Sequence, residues 1–236
     1  MGHTRTETFT LADGTGRLDV RGGRYASALF VDGRPFVFNF WSCDGSIGQE
    51  VCYFAPEPDG GFLDLREVTA TLPAEDVSLA RLIAPLLRQF TPGDYTLTLA
   101  SAADVAPFVE RHLPDYARKF THTESGYYPI TNNIYGAGTL VMTQPDETMD
   151  DARVAHFWYA IEAGARPFAI TAAVDEGMCE FVLDGHHKLM AYAYAKVKPW
   201  RLCISRKAMP LTEGDWPAHV GIPWLAFRKC VDPSRH

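Results

Sequence analysis

Between residues 25 and 41 the chain keeps the two-residue rhythm of a strand pair. Phe36, Phe38 and Phe40 fall on one side of a strand, Val37, Asn39 and Trp41 on the other, and Asp32-Gly33 separates this run from the strand-like stretch 25–31. Successive strand side chains point to opposite faces, and Asp-Gly accepts the positive φ angles of a tight turn. The pattern therefore predicts a hairpin with at least one buried face, its aromatics used for packing rather than as a ligand groove. Similar runs at 7–12, 17–20, 49–55 and 61–65, the last two flanking Pro56-Glu57-Pro58-Asp59-Gly60, complete an expected antiparallel sheet.

The period then changes. Leu79, Leu82, Ile83, Leu86 and Leu87 recur at helical spacing across 75–90, with Pro85 placed to kink or split the helix. A strand follows at 95–99, then a second helical segment at 102–119 interrupted by Pro107 and Pro114. Nothing in residues 1–120 carries a motif tied to chemistry. Thr, Ser, Gly, Pro and Asn accumulate over 121–135, where the join to a second domain, 121–236, is expected; Tyr127-Tyr128 argues that the parts pack together. Gly136-Ala137-Gly138 lacks the third glycine of a dinucleotide fingerprint and reads as a loop. The apolar stretch from Trp216 to Phe227 reads as a tail returning to the core.

The densest chemistry lies at Phe181-Val182-Leu183-Asp184-Gly185-His186-His187-Lys188-Leu189. The apolar triplet is a buried strand ended by Asp-Gly. From His186 on, Leu189, Met190, Ala193 and Val197 repeat at helical spacing until just before Pro199, and 200–205 is a further strand. The first amides of such a helix have no intrahelical partner and sit at the positive end of its dipole, so an anion over Gly185 to Lys188 would meet donors. Gly185 allows close approach, Lys188 adds charge, His186 and His187 can exchange protons or bind metal, and Asp184 can cap the helix, hold a cation or accept a proton. The same residues also fit a plain capped helix with two solvated histidines. A buried, fully bonded His186-His187 pair would favour that plainer account.

The order of elements around this turn resembles the ParB/sulfiredoxin-like superfamily of ParB N-terminal domains, sulfiredoxins and free serine kinases. Leu140-Val141-Met142-Thr143-Gln144-Pro145 is similar to their entry strand, 151–164 to their first helix, Arg166-Pro167-Phe168-Ala169-Ile170-Thr171 to their Pro-bearing strand, and 181–194 to the strand, turn and helix that hold nucleotide phosphates. The resemblance covers about 139–206. It implies a phosphate turn made of Gly185, His186, His187 and Lys188 with Arg166 nearby, and Asp184, His186 and an upstream carboxylate as reacting groups. Among Glu147, Asp150 and Asp151 no feature selects one; Glu147 and Asp151 are carried forward. Lys188 stands where these families have arginine, giving a point charge instead of a planar fork. Histidines replace the sulfiredoxin cysteine, which removes that chemistry.

Composition sets the outer limits. The chain has 236 residues, 47% hydrophobic and 12% aromatic, enough for one large core or two small ones. A net charge of −7 without a basic run argues against broad nucleic-acid binding. Arg201, Arg206, Lys207, Lys196 and Lys198 form the most positive segment, read as a solvated face. Five cysteines without a C-x-x-C pair, signal peptide or long apolar span point to a reduced, cytoplasmic protein. The resulting expectation is an α+β protein, its N-terminal antiparallel sheet and helices packed on a ParB/sulfiredoxin-like α+β domain. Its expected role is to bind ATP or ADP with Mg2+, Asp184 being the metal ligand, as a phosphotransferase acting on a small hydroxyl substrate. A non-catalytic nucleotide-binding or regulatory module is the alternative, and a ParB-like nuclease or DNA-associated protein a weaker third.

Overall fold

The computed structural model describes residues 4–41, 49–53, 65, 68–101, 126–130, 139–143 and 149–215. In chain order these form β1 (Arg5–Leu11), β2 (Leu18–Gly22), β3 (Ala26–Val31), β4 (Arg34–Trp41), β5 (Gln49–Tyr53), α1 (Leu79–Leu82), α2 (Ala84–Leu87), β6 (Gly93–Ser101) and β7 (Gly126–Ile130). Then come β8 (Thr139–Val141), α3 (Asp151–Glu162), β9 (Phe168–Val174), β10 (Cys179–Asp184), α4 (His186–Ala195), β11 (Trp200–Arg206) and a 3-10 turn at Glu213–Asp215. The fold is α+β, with an antiparallel sheet in its N-terminal part.

That sheet runs β2-β3-β4-β5-β7. Asp32 and Gly33 adopt φ of 51° and 73° between β3 and β4, the pair of left-handed residues a two-residue hairpin needs. Both faces of β4 are covered rather than one, since Phe36, Val37, Phe38 and Asn39 are all buried. The second sheet runs β1-β6-β11-β9-β10-β8 and is mixed, with β11 parallel to β9 and β8 parallel to β10. Leu18, Leu29 and Val37 from the first sheet meet Leu97, Ile170, Phe181 and Leu202 from the second in one core. On the far side of the mixed sheet, α4 covers Leu140, Ala169 and Val182 through Leu189, and α3 packs on α4 through Val154, Ile161, Ala191 and Tyr192.

Hydrogen bonding does not follow the boundary expected at residue 120. β1 and β6 pair within the sheet that holds β9, β10 and β11, while β7, inside the expected join, pairs with β5. The helix expected over 75–90 is two single turns broken at Ile83. Pro85, in the first turn of α2, has no N–H to continue α1. The segments 102–119, 131–138 and 216–236 and most of 61–65 lie outside the described residues. Among the described residues, no helix is long and apolar enough to cross a membrane.

The basic segment around β11 is not uniformly solvated. Lys196, Lys198 and Lys207 are exposed, but the Arg201 Nε donates to the buried Glu180 carboxylate at 2.7 and 2.6 Å, and Arg206 bonds the buried Asp19 at 2.7 Å. Sequence proximity made these arginines look like one patch; each is neutralised by a carboxylate far from it in sequence.

Candidate functional site

β10 ends at Asp184 and α4 begins at His186, with Gly185 as N-cap at φ 95°. A Cβ on Gly185 would lie 2.8 Å from the Ala169 Cα and 2.9 Å from its Cβ. The glycine is thus required by the approach of the turn to β9, whatever binds there. Gly185→Ala combines left-handed strain with a clash against backbone, and a loss of at least about 2 kcal/mol in urea unfolding is expected.

Asp184 does not cap α4; among the described residues no side chain does. Helical side chains lean toward the N-terminus, so Lys188, one turn on, folds back over the strand end. Its ammonium donates to Asp184 Oδ2 at 3.0 Å, to the Thr69 hydroxyl and to the Phe168 carbonyl at 3.3 Å, and lies 5.8 Å from the Phe157 ring centroid. Thr69 also contacts Asp184 Oδ2 at 3.2 Å. The Lys188 side chain is 2% exposed and that of Asp184 20%. Lys188, expected as part of a phosphate turn, directs its charge inward, to Asp184, Thr69 and Phe168. Asp184 Oδ2 is anchored twice, while Oδ1 has no partner among the described residues.

His186 and His187 are both buried. The Thr143 N–H donates to His186 Nε2 at 3.1 Å, and the Asp150 N–H to His187 Nε2 at 3.0 Å. Each Nε2 is therefore an acceptor and unprotonated. Thr143 donates its hydroxyl to the Val182 carbonyl at 2.5 Å, tying β8 to β10 at the same point. These bonds favour a positioning role for the two imidazoles, which hold Thr143 and Asp150 on either side of segment 144–148, over the solvated or metal-ligating roles expected of them.

Burial, with help from Arg153 and Lys188 and against Asp150 and Asp184, lowers the pKa of His187 below its usual 6.5. The unfolded chain then binds the proton more readily than the folded one, so stability rises with pH in this window. The His187 contribution is complete above pH 6.5 and is lost as pH falls through the lowered folded value. Denaturant midpoints measured between pH 7.5 and 5.5 should decline toward acid, and His187→Gln, which keeps an acceptor without titrating, should flatten part of that decline.

The remaining candidates are dispersed. Glu147 lies outside the described residues. The Asp150 carboxylate caps α3, accepting from Ala152 N–H at 2.8 Å and Arg153 N–H at 3.3 Å. Asp151 is exposed and lines a groove between α3 and α4. Arg166 sits at the opposite end of α3 from His187, donating to the carbonyls of Ile161 at 3.0 Å and Ala165 at 2.7 Å, a placement that suits a cation near a helix C-terminus. Cys179 and Cys203 are buried free thiols, and burial pushes that of Cys179 up to about 12. Among the described residues no cluster of three His, Cys, Asp or Glu side chains could hold a metal ion. Thr69, Thr143 and Phe157 complete the site without having been singled out in the sequence; Thr69 is 115 positions from Asp184 and carries no local signal. A scan of protein-family models and searches of curated proteins and of solved structures find no match to this chain.

Proposed function

We propose that the chain binds a nucleotide, ATP or ADP, at the start of α4 and passes a phosphoryl group to a small hydroxyl substrate, with Asp184 as the reacting carboxylate. The observation that carries this reading is the pairing of a buried Lys188 ammonium with a carboxylate that is 20% exposed and keeps one oxygen without a partner among the described residues. Desolvating such a pair is costly, and well-packed apolar residues usually serve stability as well or better. Ionisable groups held this way beside a helix N-terminus suit chemistry that depends on positioning and charge. A ligand would meet Asp184 first, because Gly185, His186, His187 and Lys188 are buried.

In this reading the Asp184 Oδ1 accepts the hydroxyl proton of the acceptor or holds the cation that accompanies the nucleotide. Mg2+ keeps most of its waters and needs only one or two carboxylates besides phosphate, so the single Asp184 fits it; when bound, it neutralises phosphate charge. Lys188 and Thr69 fix the carboxylate. Asp150 is committed to capping α3. In a second reading the same turn binds nucleotide without turnover; the buried, bonded histidines themselves favour the plainer account, a turn that packs and binds nothing. Calorimetry with ATP, ADP and Mg2+ is the test: binding that Asp184→Asn weakens at least tenfold, roughly the value of one charged contact, supports the site, and no binding at millimolar nucleotide sinks both readings. Slow turnover with hydroxyl acceptors separates the first from the second.

A further inference from the structure

We propose that the groove between α3 and α4 is a binding site for a small organic cation, an ammonium or guanidinium carried on an apolar or aromatic body. The groove has a volume of about 400 Å³ and is lined by Asp151, Val154, Ala155 and Trp158 of α3 and by Tyr194 of α4. The four α3 residues are spaced i, i+3, i+4 and i+7, so they form one stripe along about 10 Å of helix. Val154 is buried and, with Ala155, gives the groove an apolar floor. Such a lining with a few convergent polar groups is the usual composition of a small-molecule site.

Charge selects the occupant. Among the described lining residues Asp151 is the only one of a type charged at neutral pH, and among the described residues its carboxylate has no partner, capping of α3 having fallen to its neighbour Asp150. Trp158 and Tyr194 line the same space, Tyr194 being 64% exposed. A carboxylate beside Trp and Tyr faces is complementary to a cation, through charge-assisted hydrogen bonds on one side and ring quadrupoles on the other. The net charge of −7 favours approach of cations over anions. The proposal does not rest on the nucleotide reading, which concerns the buried start of α4.

Phenethylammonium, its neutral counterpart 2-phenylethanol and its anionic counterpart 3-phenylpropionate are titrated into the full chain and followed by calorimetry and by ligand-observed NMR. The amine is expected to bind with millimolar affinity, about tenfold tighter than the alcohol, with the anion weakest. Asp151→Asn should remove the preference for the amine while leaving the alcohol unchanged, and Tyr194→Ala should weaken amine and alcohol together. Both positions are exposed, and thermal unfolding of each variant confirms that the fold persists. Equal affinity for amine and alcohol, a preference that survives Asp151→Asn, or no binding of the amine at tens of millimolar overturns the proposal. Adenosine occupying the groove more tightly than the amine does so too, by assigning the rings to a base instead of a cation.

Discussion

Asp184→Ala is expected to destabilise the protein by about 3 kcal/mol, toward the lower end of the range for breaking a buried ion pair. The reason is the asymmetry of exposure within the pair. Lys188 is 2% exposed and Asp184 20%, so removing the carboxylate leaves a buried ammonium without its counter-charge, its contacts with the Thr69 hydroxyl and the Phe168 carbonyl being neutral. Lys188→Met removes the charge and nearly preserves the volume. It leaves a carboxylate that can hydrate and should cost about 1 kcal/mol. Chemical denaturation of both single variants and of the double variant checks the account: the double variant should be more stable than Asp184→Ala alone, because the stranded charge is then gone. If Lys188→Met is the more damaging single change, the ammonium is not the group that needs compensation. This ordering also bears on function, since Asp184→Asn, which keeps size and an acceptor oxygen at the Lys188 position, is the variant suited to ligand binding.

The local plan of this site was legible because periodicity and punctuation are local. A triplet of apolar residues before Asp-Gly gave β10, leucine and alanine spacing before Pro199 gave α4, and Asp-Gly with its left-handed angles gave the β3–β4 hairpin. What alternation does not carry is the identity of the neighbouring strand. β1 and β11 both flank β6 though one lies at each end of the chain, and nothing in Thr-x-Thr-x-Thr at residues 6–10 announces it. The direction of the Lys188 side chain is hidden from the sequence for a related reason. A lysine in the first turn of a helix reads as a surface charge until Thr69, Phe168 and Asp184 close around it, and only the last is nearby in sequence. Gly185 was read as permitting ligand approach, whereas the atoms that exclude a side chain there belong to Ala169. The histidine pair is visible in the sequence as groups able to exchange protons or bind metal, but the bonds that hold each Nε2 include main-chain N–H groups, which leave no trace in residue type.

The second large effect expected lies away from the candidate site. Asp19→Ala should cost about 3 kcal/mol, because one buried carboxylate joins three parts of the fold. Asp19 is 4% exposed on β2. Its Oδ1 accepts from Arg206 Nη1 at 2.7 Å and its Oδ2 from Arg21 Nε at 2.7 Å, while Arg21 Nη1 reaches Asp215 at 2.8 Å. The two guanidiniums also lie over aromatic rings, Arg21 4.5 Å from the Phe30 centroid and Arg206 5.5 Å from that of Tyr95. Arg21 is about a third exposed and can recover hydration, so its pairing counts for little. Arg206, 14% exposed, cannot do so as readily, and stranding it is the main cost. Asp19→Asn should lie between the wild type and Asp19→Ala, because one amide oxygen can still accept from one arginine. Arg21→Ala should be milder than Arg206→Ala, and equal losses would show that exposure does not set the strength of these pairs. Since Asp19 bonds both Arg206 of the mixed sheet and, through Arg21, the 3-10 turn, hydrogen exchange in Asp19→Ala should rise first in β11 and around Asp215, with β3 and β4 protected longer by the packing of Phe30, Phe36 and Phe38.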